Sequence, residues 1–446
     1  MHRDLAGNAD ETGTISPGLL VLEAISALEA TGIRSVYLRN YENLPGEVGN
    51  DVDLLVPSGR RAEAIDIMVG AARRHGWEFL NTAHFGPIAL YLANLETGET
   101  LHIDVFDRLE WHFIEFADAG RIIAQRRRHV EVMVPAREDE IYLNLLTRLA
   151  YQGAIREKHR GAAREFVNAE GPDLLRGAFE SHLGPQGKRL FDVLLAHDWN
   201  PQASDRRLLL TSMAVRHGLQ HPLRLMHGAI RYGMRTYRKI IHPPGKLIVL
   251  EGPDGVGKST ILENLRPWCG QWCAGRDTYG FHWKPMTVTR SEEKSDAVNP
   301  RASGPRPFLL SLAYLSWHLL GFWWGWFFKI RPLLVKSHAV VGDRYSYDIF
   351  MDPARFRLGL PRWLCKLAAR SVPQPAVTVG LEADPQAVHT RKPELSVDEI
   401  ATYQKRWRVL AEGSPTMVTV AADAPPPEVL LGVKRAILQS LISRGN

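Results

Sequence analysis

Gly252-Pro253-Asp254-Gly255-Val256-Gly257-Lys258-Ser259 has a glycine, four residues and then Gly-Lys-Ser, a residue set suited to holding a polyphosphate. Glycines let backbone amides turn toward phosphate oxygens with no Cβ in the way. Lys258 supplies a point charge between β- and γ-phosphates, and the Ser259 hydroxyl offers a ligand to Mg²⁺. A helix starting there points its positive end at the anion. The flanks fit: Lys246-Leu247-Ile248-Val249-Leu250 is a continuous apolar run of strand length, and a helical pattern follows Ser259. ATP and Mg²⁺ are therefore the expected cofactors. The expected nucleotide-binding residues are Gly252, Asp254, Gly255, Val256, Gly257, Lys258, Ser259 and Thr260. A degenerate loop that binds nucleotide without turnover is the weaker reading, because every chemically required position is filled.

Two further sets could do chemistry. Asp343-Arg344-Tyr345 sits at the carboxyl end of a predicted strand, where ligands gather in open α/β sheets. An aspartate there can hold the metal shell or orient an acceptor. Arg344 can bind an anionic acceptor or the moving phosphoryl group. Taken alone, the pair would read as a surface ion pair. In the N-terminal part, Asp51-x-Asp53 opens a strand, and alternation puts both carboxylates on one face. Asp104, in Leu101-His102-Ile103-Asp104-Val105, stands in a separate strand. Two acids from one strand and one from its neighbour make a hard-oxygen site for Mg²⁺, where two ions could activate a hydroxyl and steady a leaving pyrophosphate. The plainer reading is a strand-edge Asp-x-Asp with surface roles.

The order Glu251 to Thr260, Asp343-Arg344-Tyr345, Asp384-Pro385 after a strand, then Arg391-Lys392-Pro393-Glu394 resembles the thymidylate kinase family over roughly residues 245–446. It is similar to the thymidylate-kinase-like proteins that accompany polysaccharide biosynthesis genes in bacteria. The resemblance implies that Asp343 and Arg344 hold the acceptor and its phosphate side. It implies that Arg391, with Lys392, belongs to a lid over the transferring phosphate, and that Ala421-Ala422-Asp423-Ala424 lies beside the adenine. Where that family's acceptor loop would carry an arginine and glycines, this chain has Phe281-His282-Trp283-Lys284-Pro285. ATP binding carries over, and the acceptor stays open. Residues 15–115 resemble the polymerase-β type of nucleotidyltransferase. Leu38-Arg39-Asn40-Tyr41 stands where that family has a Gly-Ser pair, and Arg39 could contribute charge.

The elements that must position these residues follow from punctuation and period. Ser16-Pro17 starts a helix that Gly32 ends. Strands are expected at 35–38, 52–56, 77–82, 87–94 and 100–106, with a helix capped by Ser58 and ending at Gly76. From Arg137 the pattern is helical to about Tyr237. His242-Pro243-Pro244-Gly245 breaks it and marks the domain boundary. Later strands at 339–342, 377–381 and 417–420 alternate with helices, which predicts a parallel sheet with right-handed crossovers. Residues 285–307, rich in Pro, Ser and charge, predict a mobile loop. The expected fold class is α/β. It comprises a nucleotidyltransferase-like α+β domain (15–135), a helical basic extension or connector (136–241) and a P-loop domain with a helix-flanked parallel sheet (245–446).

The chain's 446 residues exceed one domain, and 45% hydrophobic with 23% charged residues is ordinary for a globular protein. Cys269, Cys273 and Cys365 fit neither a zinc ribbon nor a redox pair, and three thiols suit a reducing compartment. The polar, acid-bearing first sixteen residues predict no secretory signal and a cytoplasmic protein. Net charge is +6, and no acid occurs from Arg206 to Leu250. Such a run could contact phosphates or an anionic membrane surface. A solvated helical face is the preferred reading, and nucleic acid is not an expected partner. Phe308 to Phe328 has no formal charge and holds Trp317, Trp323, Trp324 and Trp326. Its place between two motifs that must meet in one active site favours a buried crossover helix, at a homodimer interface if there is one, over a membrane-surface or spanning segment.

The expected function is an ATP-dependent phosphotransferase of a nucleotide or sugar-type acceptor, using Lys258, Asp343, Arg344 and Arg391, with Mg²⁺ on Ser259. One alternative is a nucleotidyltransferase at Asp51, Asp53 and Asp104. Another is a non-catalytic nucleotide-binding module at a membrane-bound assembly.

Overall fold

The computed structural model describes residues 15–49, 51–219, 222–273, 277–283, 285 and 304–445. The expectations for the first fourteen residues, for Lys284 and for most of the 285–307 loop lie outside them. By contacts the chain divides into two compact units. The first holds Met1–Trp77, His84–Leu92 and Leu101–Arg238, and the second Glu78–Ala83, Ala93–Thr100 and Lys239–Asn446.

The first sheet is built from β1 (Val36–Tyr37), β2 (Val52–Leu55), β3 (Trp77–His84), β4 (Ile88–Asn94) and β5 (Thr100–Phe106), in the order β1-β2-β5-β4-β3. α1 (Pro17–Ala30) begins where the Ser16 hydroxyl accepts from Leu19 N at 3.4 Å. α2 (Arg61–Arg74) starts after Arg60, so Ser58 is not its cap. β1 and β2 pair antiparallel, β2 and β5 parallel, and this last register sets Asp53 opposite Asp104. Two small hairpins that the sequence reading did not anticipate follow: β6 (Leu109–Trp111) with β7 (Ile114–Ala117), and β8 (Arg127–His129) with β9 (Val132–Val134). α3 (Ala119–Ala124) lies between them.

Then come α4 (Arg137–Gln152), α5 (Glu157–Glu170), α6 (Pro172–Leu183), α7 (Pro185–Ala196), α8 (Ala203–Met213) and α9 (Pro222–Ile241). Val36, Leu38 and Leu55 share one buried cluster with Leu145, Leu149, Phe179, Phe191, Trp199 and Met213. The helices through α8 thus complete the core of the N-terminal sheet, since a short sheet alone cannot bury enough apolar surface.

The second unit carries β10 (Leu247–Glu251), α10 (Lys258–Gln271), β11 (Thr278–His282), α11 (Phe308–Gly325), a π-helical turn (Trp326–Ile330) and α12 (Arg331–Val335). β12 (Ala339–Asp343), α13 (Asp348–Met351), α14 (Arg362–Ser371) and β13 (Val377–Glu382) follow. α15 (Pro385–Arg391), α16 (Val397–Ala411), β14 (Met417–Ala421) and α17 (Pro426–Gly445) complete it. Its five strands are all parallel, in the order β11-β12-β10-β13-β14. β10 and β12 are buried along their whole length, as continuous apolar runs predict. The chain steps from β10 to β12 on one side and to β13 on the other. This change of direction opens a crevice at the carboxyl ends of the strands, where the Gly252 loop lies.

One expectation needs correction. Phe308–Gly325 does cross between β11 and β12, but it is not buried all round. Ser311, Leu315, His318, Phe322 and Gly325 face inward, while Leu309, Leu310, Trp317, Leu320 and Trp324 are exposed. The polar Ser311 is among the inward residues because it accepts a hydrogen bond from Gly359 N at 2.9 Å and donates to Arg306 O at 3.0 Å.

Candidate active site

The loop between β10 and α10 takes a shape that only glycine adopts freely. Gly255 and Gly257 have φ of 91° and 103°. A Cβ at Gly255 would stand 2.9 Å from Lys392 Cβ. Substitution there would meet both backbone strain and the segment after α15. Lys258 opens α10 and is buried. Its ammonium donates to Gly252 O at 2.8 Å and Pro253 O at 2.9 Å. Burial and the neighbouring Arg344 push its pKa below the usual lysine value, against the pull of Asp343, Asp254 and Asp348. Ser259 and Thr260, in the first turn of α10, are exposed.

Behind the loop stands a buried ionic network. Arg344 Nη1 donates to both carboxylate oxygens of Asp348, at 3.0 and 2.9 Å, and Nη2 donates to Asp254 at 2.7 Å. The Tyr403 hydroxyl lies 3.0 Å from Asp348 Oδ1 and 3.4 Å from Glu251 Oε2. Glu251 Oε1 accepts from Tyr345 N at 2.8 Å. Burial, with Asp348 close by, raises the Glu251 carboxyl well above its ordinary range. Burial also acts to raise Asp254, but the charges of Arg344 and Lys258 outweigh it and hold that carboxyl well below its ordinary range. Arg344 has φ 69°, a left-handed backbone for a non-glycine residue, fixed by this set of partners. The sequence reading expected it to meet an anionic acceptor. The structure places both its Nη atoms on carboxylates instead.

Asp343 is more open to a ligand. The register of β11 and β12 sets His282 beside it, and the imidazole Nδ1 lies 3.0 Å from Asp343 Oδ2. The other oxygen, Oδ1, is buried and meets no hydrogen-bond partner among the described residues. Burial would raise this carboxyl, but the His282 hydrogen bond, Lys258 and Arg344 lower it, so it is ionised at neutral pH. A buried, ionised and unpartnered oxygen, with an exposed serine hydroxyl at the loop's end, suits a hard divalent cation such as Mg²⁺.

Arg391 ends α15 and is exposed, and Lys392 pairs with Glu394 at 3.1 Å. Asp384 caps α15 through Ala387 N, and its own amide donates to Asp423 at 2.8 Å, tying the α15 start to the turn after β14. Sequence reasoning missed His282, Asp348, Glu251 and Tyr403 as parts of this site. Only Asp348, one helical turn beyond Arg344, left a local signal.

In the first unit, ligand atoms of Asp51, Asp53 and Asp104 all lie within 4.8 Å of one another. The Arg39 guanidinium pairs with Asp53 and lies 3.6 Å from Asp51. His102 Nε2 lies 3.0 Å from Asp104. Burial pushes Asp53 up to about 6, against the pull of Arg39, and its Oδ1 is buried with no partner among the described residues. These donors also fit a hard divalent cation. Arg39, proposed from sequence as a source of charge, neutralises the acids themselves.

No family model matches the chain. Among solved structures it is similar to thymidylate kinase from Ehrlichia chaffeensis, at 16% identity over 43% of this chain and 97% of that one, with a TM-score of 0.29. It is also similar to thymidylate kinase from Candida albicans, at 18% identity over 42% of this chain and 89% of that one, with a TM-score of 0.30. At these scores neither likeness carries an argument about activity.

Proposed function

We propose that the C-terminal unit is an ATP-dependent phosphotransferase whose acceptor is a nucleotide or a sugar-type small molecule. The observation that carries this reading is the pairing of a glycine-shaped phosphate loop with Asp343, a buried carboxylate whose Oδ1 meets no hydrogen-bond partner among the described residues. A loop alone would bind nucleotide. The aspartate at the end of the adjacent strand gives it something to act with.

In this reading the loop amides and Lys258 bind the β- and γ-phosphates, and Lys258 exchanges its two carbonyl contacts for phosphate oxygens. Ser259 and Asp343 would hold Mg²⁺, which when bound neutralises charge on the phosphates. Asp343 either serves that shell or orients the acceptor, with His282 fixing its rotamer. Arg391 supplies a charge from the segment over Gly255. Arg344 is a positioning residue: it orders Asp254 and Asp348 behind the loop and leaves the phosphate contacts to Lys258 and Arg391.

Asp343→Asn is expected to lower kcat for phosphoryl transfer by about 10²-fold or more, with ATP affinity changed only a few-fold. Steady-state kinetics and nucleotide titration check this, and an unchanged kcat would remove Asp343 from the reaction.

The converging acids of the first unit favour a second reading, nucleotidyl transfer onto a sugar phosphate or a macromolecule. It rests on Asp53 Oδ1, buried beside Asp51 and Asp104 and with no hydrogen-bond partner among the described residues. Pyrophosphate release from a nucleoside triphosphate should then disappear in Asp53→Asn and survive Lys258→Ala. Release that persists in Asp53→Asn would dismiss this reading.

A further inference from the structure

Two helices, one mainly in each unit, turn a continuous apolar face to water. α9 holds to its unit by its polar side. Arg231 donates to Glu110 at 3.1 Å, Arg235 donates to His112 O at 3.0 Å, and the Tyr232 hydroxyl lies 3.2 Å from His112 Nδ1. Gly228, on the same side, packs so close to Phe113 that a Cβ would stand 2.8 Å from its carbonyl oxygen. The opposite side, at three- and four-residue spacing, is Leu223, Met226, Ile230, Met234, Tyr237 and Ile241, every one of them exposed. α11 does the same. Its inward stripe includes Ser311 and His318, while Leu309 and Trp317 are 76% and 71% exposed, and Leu310, Leu320 and Trp324 stand with them. Isolated exposed apolar side chains need no explanation. Two continuous helical faces of them mark a contact surface.

Charge identifies the contact. No acid occurs from Arg206 to Leu250, where Arg224, Arg238 and Lys239 ride on α9 in addition to Arg231 and Arg235, which pair with Glu110. None occurs from Gly304 to Gly342, where Arg306, Lys329, Arg331 and Lys336 flank the α11 face. A second copy meeting either face about a two-fold axis would bring like charges together. An anionic lipid surface offers the opposite: acyl chains for the apolar stripe, headgroup charge for Lys and Arg, and an interface that favours tryptophan. No described helix is long and apolar enough to cross a membrane, so the contact would lie in the plane of the surface.

We propose that this protein docks on an anionic lipid bilayer through outward apolar helix faces, that of α9 in the first unit and that of α11 in the second, each making its own contact with the surface. The docking is independent of the kinase reading. It would hold the protein at a surface without requiring either unit to span.

The test is co-sedimentation of the full chain with vesicles of phosphatidylcholine alone and of phosphatidylcholine mixed with phosphatidylglycerol, at low and high salt. The expected result is binding to the mixed vesicles only, weakened as salt rises. Ile230→Ser/Met234→Ser and Trp317→Ser/Leu320→Ser should each lower partitioning by about tenfold or more. Because these positions are exposed, thermal unfolding should match wild type. Arg224→Glu/Arg238→Glu, which leaves the apolar faces intact, should also weaken binding. Equal binding to neutral vesicles overturns the charge argument. No binding to either vesicle, with a concentration-dependent dimer in light scattering that the serine variants dissolve, overturns the proposal in favour of a second copy.

Discussion

Lys258→Ala is expected to abolish phosphoryl transfer, with kcat down by about 10²- to 10³-fold or more at saturating ATP. The lysine is the phosphate loop's point charge, and no other cation among the described residues approaches the carbonyls of Gly252 and Pro253 in its place. The fold should tolerate the change. Lys258 is buried and its ammonium is disfavoured by that burial and by Arg344; alanine removes this desolvated charge, two hydrogen bonds and a 3.7 Å contact with Asp254, which Arg344 still pairs at 2.7 Å. The variant should unfold near the wild-type temperature while losing activity. This separation of catalysis from stability is the signature to look for. Transfer within a few-fold of wild type would show that the loop has no role in the chemistry.

Arg344→Ala should do the reverse and strike stability first. Its removal strands Asp348, which is fully buried, and leaves Asp254 with only the longer contacts to Lys258 and Arg355, each at 3.7 Å. Breaking a buried ion pair by deleting one partner costs about 3–5 kcal/mol. Urea denaturation followed by a probe in the second unit should show that loss. Arg344→Lys should recover little, because a single ammonium cannot serve two carboxylates in the guanidinium's fork. Arg344→Met/Asp348→Leu should recover more than Arg344→Lys, since it replaces both partners of the pair. A loss below about 1 kcal/mol for Arg344→Ala would mean that the network is solvated and that its account here is wrong.

What could be read from sequence, and what could not, follows from the range of the interactions. β10 is legible because a strand covered on both faces is written as an unbroken apolar run. The loop after it is legible because its glycines and lysine are contiguous. β11 was missed because it is five residues long, lies at a sheet edge and contains Gly280. With it went the His282 contact, which depends on the parallel register that sets His282 beside Asp343. The tie between Tyr403 and Asp348 spans 55 positions and leaves no local pattern.

The outward faces of α9 and α11 were missed for a different reason. Periodicity shows that α9 and α11 have faces but not which face turns inward. In α11 Ser311 and His318 pack inside with Leu315, Phe322 and Gly325, while Leu309, Trp317 and Leu320 face out. The Asp51, Asp53 and Asp104 cluster was legible from alternation, since strand neighbours that share a face meet in space. That Arg39 closes on it was not.

If the Gly252 loop and Asp343 together move a phosphoryl group, the labelled γ-phosphate of ATP should pass, with Mg²⁺, to a member of a panel of nucleoside monophosphates and sugars when the full chain is added. Label is expected on at least one acceptor, dependent on Mg²⁺ and lost in both Lys258→Ala and Asp343→Asn. Tight ATP binding with no label on any acceptor would rule out phosphoryl transfer at this site.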